Sequence, residues 1–127
     1  MVLQLIILVV VMIFPQTVTW LVVKSGGRVF FLRTDEVDWI EAAGNYVRLH
    51  LGTESHLFRE TMNRMESRLD TRRFARIHRS RIVNTERIKE LQPWFNGEHV
   101  VILQNGTRLT LSRGYREKLQ EQLKRGF

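Results

Sequence analysis

The chain contains no cysteine, which excludes disulfides, thiolate metal sites and a cysteine nucleophile. Lysine is scarce: Lys24, Lys89, Lys118 and Lys124 are the only ones among 20 Lys and Arg residues. Arginine therefore supplies most of the positive charge behind a net +7. Solubility alone does not require that bias, although a GC-rich genome also raises arginine. Bidentate recognition of phosphates or bases uses the guanidinium fork directly. A sequence pI near 10.8 tilts the balance toward an anionic partner. No P-loop, nucleophile elbow, HExxH or glycine-rich dinucleotide turn is present. His78 and Ser80 share a strand face but have no orienting acid in view. The four histidines never pair at metal-ligand spacing on a predicted helix, and His50, His56 and His99 read as structural. The expectation is a non-enzyme with no cofactor and no metal.

Charge is also missing from residues 1–23. Residues 1–14 are apolar except Gln4, a run short of the roughly 20 residues that cross a bilayer as a helix. A secretory signal is disfavoured, because the basic n-region and small-residue cleavage site are lacking. Three readings stand: a marginal membrane anchor, the end of a larger membrane region, or a buried or mis-assigned leader. The preferred expectation is a membrane-associated stub over residues 1–17, preceding one domain at 18–127. Lys24, Arg28 and Arg33 follow it, which would leave the domain in the cytoplasm.

Strand signals dominate what is there. Residues 17–24 and 28–33 flank Ser25-Gly26-Gly27, a hairpin signal. A single turn is expected at 34–37, capped by Thr34 or Asp35. A short strand at 39–41, a bend at 42–45 and a strand at 46–51 follow, with Val47, Leu49 and Leu51 on one face. Phe58, Met62, Met65 and Leu69 recur at helical spacing, which predicts one amphipathic helix of about ten residues with the methionines as core filler. Arg59, Arg64 and Arg68 would form its solvated face. Residues 74–79 read as extended, and Ser80 as the cap of a short turn running to Asn84. Strands at 88–95 and 99–104 meet at Asn96-Gly97, and a strand at 108–112 follows Asn105-Gly106. A helix at 115–123 ends the chain. No internal repeat, low-complexity segment or linker follows Val23.

The segment Phe74-Ala75-Arg76-Ile77-His78-Arg79-Ser80-Arg81-Ile82-Val83-Asn84 is the most informative. Apolar residues alternate with forked donors, and His78, Ser80 and Asn84 add short hydrogen-bonding groups. Such a segment suits gripping a nucleic acid backbone and reading adjacent bases.

Three segments, in order, resemble the LytTR family of bacterial transcriptional regulators. They are Asp38-Trp39-Ile40-Glu41-Ala42-Ala43-Gly44-Asn45-Tyr46-Val47, the 74–84 segment, and Leu103-Gln104-Asn105-Gly106-Thr107-Arg108-Leu109-Thr110-Leu111-Ser112-Arg113. The resemblance covers roughly residues 20–123. It implies a mainly β fold, a stack of small antiparallel sheets with one amphipathic helix and a C-terminal helix. It also implies loops that enter successive major grooves of double-stranded DNA and bend it. Asn45 and Tyr46 would lie on the first loop, and His78, Arg79 and Ser80 on the central one. Arg113 would lie on the last. Asn45, Arg79 and Arg113 would read bases, while Arg48, Arg81, Asn84 and Arg116 would contact phosphates or position the protein. Paired promoter sites and a transient homodimer on DNA follow from the same resemblance. Two features depart from the family pattern. A receiver domain or multi-span membrane region usually precedes such a domain, and Arg81 stands where an aromatic or apolar residue is common.

Two rivals are weighed beside it. A membrane-tethered basic module would meet anionic lipid through that surface, or an acidic protein partner. A single-stranded RNA binder would need exposed aromatic platforms, for which Tyr46, Trp94 and Phe95 are the candidates.

Overall fold

The computed structural model describes residues 9–13 and 19–123. Alternating apolar and polar residues make most of this region extended. The strands are β1 (Val9–Ile13), β2 (Thr19–Ser25), β3 (Arg28–Arg33), β4 (Trp39–Ala43), β5 (Tyr46–Leu51), β6 (Glu54–Arg59), β7 (Phe74–His78), β8 (Arg81–Asn84), β9 (Ile88–Pro93), β10 (His99–Leu103) and β11 (Arg108–Leu111). Helix α1 (Met62–Arg68) follows β6, and α2 (Arg116–Leu123) follows β11. Three antiparallel sheets result, ordered β1-β2-β3, β6-β5-β4-β8-β7 and β11-β10-β9. The fold is mainly β, built of small stacked sheets with two helices, as the sequence led us to expect.

The central sheet packs on both faces, on the second chiefly through β7 and β8, and two separate cores result. On one face Ile40, Val47, Leu49, Phe58 and Ile82 pack with Leu21 and Val23 of β2 and with Met62, Met65 and Leu69 around α1. On the other face Ala75, Ile77 and Val83 pack with Val101, Leu103, Leu109 and Leu111 of the third sheet and with Leu119 of α2. Each fully buried leucine or isoleucine contributes about 1.5–3 kcal/mol. The methionines fill the core, as expected.

Several local expectations are corrected. Phe58 belongs to β6, not to the helix, and its side chain is buried from a strand. Helix α1 is consequently seven residues long, and Thr61 caps it by accepting from the Arg64 amide at 3.1 Å. Ser80 caps no helical turn: Arg79-Ser80 is the two-residue turn between β7 and β8, and the residues up to Asn84 are strand. The turn at Thr34–Glu36 has no side-chain cap, and Thr34 is buried instead.

Of the apolar N-terminus, residues 9–13 form β1, which pairs with β2 from Val9↔Val23 to Ile13↔Thr19. This pairing crosses the boundary expected at residue 17. Residues 1–8 and 14–18 lie outside the described residues, so the rest of the expected membrane-associated stub lies there too. No helix among the described residues is long and apolar enough to cross a membrane.

Candidate nucleic-acid interface

Antiparallel register gathers the motif turns on one edge. Glu41 of β4 lies between Arg48 of β5 and Arg81 of β8, so the end of β4 meets the starts of both neighbours. The β4–β5 turn (Gly44-Asn45) and the β7–β8 turn (Arg79-Ser80) are therefore side by side. The Ala42 amide donates to the Ser80 carbonyl at 2.9 Å and fixes their spacing. The Ser112 amide donates to the Ile77 carbonyl at 2.9 Å, which brings Arg113 to the same edge. In the third sheet His99 pairs with both Leu111 and Pro93, so the β9–β10 turn joins the group. Asn45, Arg79 and Arg113 are all exposed there.

Arg76 holds the central turn from inside. Its Nε donates to the His78 carbonyl at 3.0 Å and its Nη2 to the Arg79 carbonyl. Its Nη1 donates to Asn63 Oδ1 at 3.1 Å and Glu66 Oε1 at 2.9 Å, both on α1. The side chain is only 8% exposed. A buried arginine needs its charge matched and its donors used, and here both conditions are met. Lys118 of α2 reaches the other Glu66 oxygen at 3.1 Å, which links both helices to the turn. Burial raises the Glu66 pKa, but hydrogen bonds from Lys118 and Arg76 outweigh it and hold the carboxyl below its ordinary value.

The His78 ring organises the outer side of the turn. Its Nδ1 accepts the Ser80 amide at 3.1 Å and lies 2.9 Å from the Ser80 hydroxyl. That leaves the Nε2–H tautomer as the neutral form. Burial lowers the His78 pKa, the Arg81 and Arg79 charges lower it further, and Glu98 opposes them. Arg81 donates to the Ser80 hydroxyl at 2.6 Å and lies over the Trp39 ring at 5.7 Å. Trp39 in turn stacks on His50 at 4.1 Å between centroids. Arg81 is thereby attached to the scaffold.

The other named residues separate by exposure. Tyr46 is 40% exposed and lines a depression with Asn45, Arg59 and Arg64. Arg48 is half-buried, with Nε 3.8 Å from Glu41. Arg116 begins α2, and its charge adds to the burial that lowers the His99 pKa. Asn84 is fully buried. Its amide donates to the Val37 carbonyl at 2.9 Å and accepts from the Glu86 amide at 3.0 Å. Of the two roles expected for Asn84, phosphate contact or positioning, this placement suits positioning: both ends of its side chain are used by the fold.

Sequence reasoning missed the role of Arg76 and the position of Arg59 and Arg64 beside Asn45. The first had a signal, an arginine among apolar residues on a buried strand. The second did not, because the helical spacing that starts at Phe58 takes in Arg59, which the fold places at the end of β6. No group of three or more acidic or histidine side chains that could hold a metal ion exists among the described residues.

The model of the LytTr DNA-binding domain family matches residues 27–124. The sensory transduction protein LytT of Bacillus subtilis is 31% identical over 103 residues, covering 81% of this chain and 43% of that protein. The transcriptional regulatory protein LytR of Staphylococcus aureus is 34% identical over 93 residues, covering 73% of this chain and 38% of that protein. The chain thus spans about two fifths of the length of these relatives. A solved LytTr DNA-binding domain from Bacillus cereus superposes with a TM-score of 0.73 at 23% identity, over 85% of this chain and 97% of that one. That likeness shows the fold.

Proposed function

Because the chain belongs to the LytTr DNA-binding domain family, we propose that it binds a specific double-stranded DNA sequence and acts in transcription regulation. The observation that carries this reading is the single edge where Asn45, Arg79 and Arg113 are exposed on turns tied together by main-chain hydrogen bonds. Three short turns on a rigid β scaffold suit insertion into successive major grooves. In the major groove asparagine matches adenine and arginine matches guanine, each pair worth about 1–3 kcal/mol of discrimination. Asn45, Arg79 and Arg113 are the base readers in this reading. Tyr46, Arg48, Arg59, Arg64 and Arg116 contact phosphates or sugars. His78, Ser80 and Arg81 set the shape of the central turn. The protein performs no chemistry, works in the cytoplasm, and binds paired promoter sites as a transient dimer on DNA.

The test is selection of duplexes from a random pool by the full chain, repeated with Arg79→Ala and Arg113→Ala. The expected outcome is an enriched motif that each variant loses at its own position, with an unchanged melting temperature. Variants of Arg59 or Arg64 should keep the motif and lower the salt slope by about one. Binding that is salt-sensitive but enriches nothing would overturn the reading. Matching affinity for anionic vesicles would then favour a lipid-binding basic surface.

A further inference from the structure

The β9–β10 turn carries two aromatic rings that the fold does not use. Trp94 is 55% exposed and Phe95 64% exposed. Their ring centroids are 5.5 Å apart, so the rings touch each other. Neither packs into either core. The turn itself is closed by main-chain bonds: Trp94 N–H donates to the Glu98 carbonyl at 2.9 Å, and Glu98 N–H to the Phe95 carbonyl at 3.2 Å. Asn96 and Gly97 supply the left-handed conformations that the reversal needs, at φ 61° and 77°. Nothing in this turn chemistry calls for large apolar side chains. Paired exposed rings mark a surface that something covers.

Their neighbours indicate what covers them. A Cβ placed on Gly97 would lie 2.9 Å from Arg113 Cδ, so the arginine side chain rests against the same turn. The turn also lies near enough for the Glu98 charge to act on His78. The rings therefore sit beside Arg113 on the edge that presents Arg79. A polyanion that also offers apolar rings fits this setting better than an apolar partner, which would have to desolvate both guanidinium groups. Duplex DNA offers both: phosphates for the arginines, and deoxyribose and thymine methyl carbons for the rings.

We propose that Trp94 and Phe95 form an apolar DNA contact, seated on deoxyribose and base edges next to the base that Arg113 reads. This inference rests on the DNA-binding reading above and extends it from cationic readers to a hydrophobic one. A contact of this kind adds affinity without releasing counterions. It adds little sequence preference where it meets sugar, and a preference for thymine where it meets the methyl group.

The experiment measures the full chain and its Trp94→Ala/Phe95→Ala variant on the selected duplex at several salt concentrations. Both rings are solvent-facing, so the variant should keep the parent melting temperature. The expected result is binding at least about tenfold weaker with an unchanged salt slope. Arg113→Ala, by contrast, should lower the slope and relax one base position. Replacing thymine by uracil beside that position separates methyl from sugar contact. Either result of that replacement supports the assignment once the double variant has lost affinity. Parent affinity in the double variant, while the parent still enriches a motif, would overturn the assignment alone. So would loss of self-association or of vesicle binding with duplex affinity intact. A parent that enriches no duplex removes the DNA-binding reading, and this inference falls with it.

Discussion

Arg76 Nη1 lies 2.9 Å from Glu66 Oε1, joining the strand that leads into the Arg79-Ser80 turn to the first helix. The same guanidinium supports the turn's two carbonyls, so one buried side chain couples helix position to the placement of Arg79. Replacing Arg76 by methionine leaves those carbonyls without donors and removes a partner from Glu66. We expect a loss of about 3 kcal/mol in urea unfolding. Arg76→Lys should rescue stability only in part and sequence selectivity less, because one ammonium cannot span both carbonyls and the carboxylate. Full selectivity in a stable Arg76→Lys protein would show that the turn holds its shape without the clamp.

Gly97 and Gly106 provide a matched pair. Both have positive φ, at 77° and 91°, and alanine at either should cost about 1 kcal/mol of stability. Only at Gly97 does an added Cβ meet another residue, the Arg113 side chain. Gly97→Ala should therefore relax selectivity at the base read by Arg113, whereas Gly106→Ala should leave selectivity intact. Duplex selection with both variants checks this. Equal profiles would mean that the packing of Arg113 on Gly97 does not place it.

Asn84→Ala separates a structural residue from the readers. The substitution strands the Val37 carbonyl in a buried site and takes the side-chain acceptor from the part-buried Glu86 amide. The expected loss is about 2–3 kcal/mol, with the selected motif unchanged at a temperature where the variant is folded. A motif altered at one position, with stability retained, would return Asn84 to the DNA surface.

Acid should lower the protein's stability over two successive pH ranges. His50, His78 and His99 are held below their ordinary value of 6.5, burial being the largest cause in each. The folded state then binds fewer protons than the unfolded one as pH falls below about 6.5. Their contribution is present above that pH and is lost as pH drops through the lowered folded values. Glu66 and Asp70, held below 4.5 and 3.8, contribute above those values and lose their contribution at still lower pH. Thermal melting from pH 8 to pH 3 should show a plateau above pH 7, then a decline. His78→Gln should make the first decline shallower; an identical slope would remove His78 from that stage.

The turns were legible in the sequence where glycine follows asparagine. Asn96-Gly97 and Asn105-Gly106 both lie between paired strands, as expected. The strand β6 was not legible, because Phe58 fits two periods at once. It alternates with Leu57 and Arg59 as a strand residue, and it also lies four positions before Met62 as a helical one. Pairing of Val47 with Phe58 decides the question, and that partner lies across a hairpin. Residues 74–84 show the same limit. Arg76, Arg79 and Asn84 look alike as polar residues in an apolar run, yet one is a buried clamp, one is exposed and one is sealed inside.

The sequence by itself determined the arginine-rich charge, the alternation that makes strands, and the ordered motifs that carry the family. Those properties are local, because they depend on residue type and on spacing over a few positions. Tertiary structure alone decided which motif residues face outward and which turns share an edge. Antiparallel pairing of β4 with both β5 and β8 sets Arg48 and Arg81 on either side of Glu41, and the third sheet brings Arg113 to the same edge. Such neighbours come from strands distant in the chain, and only burial of the two cores holds them together.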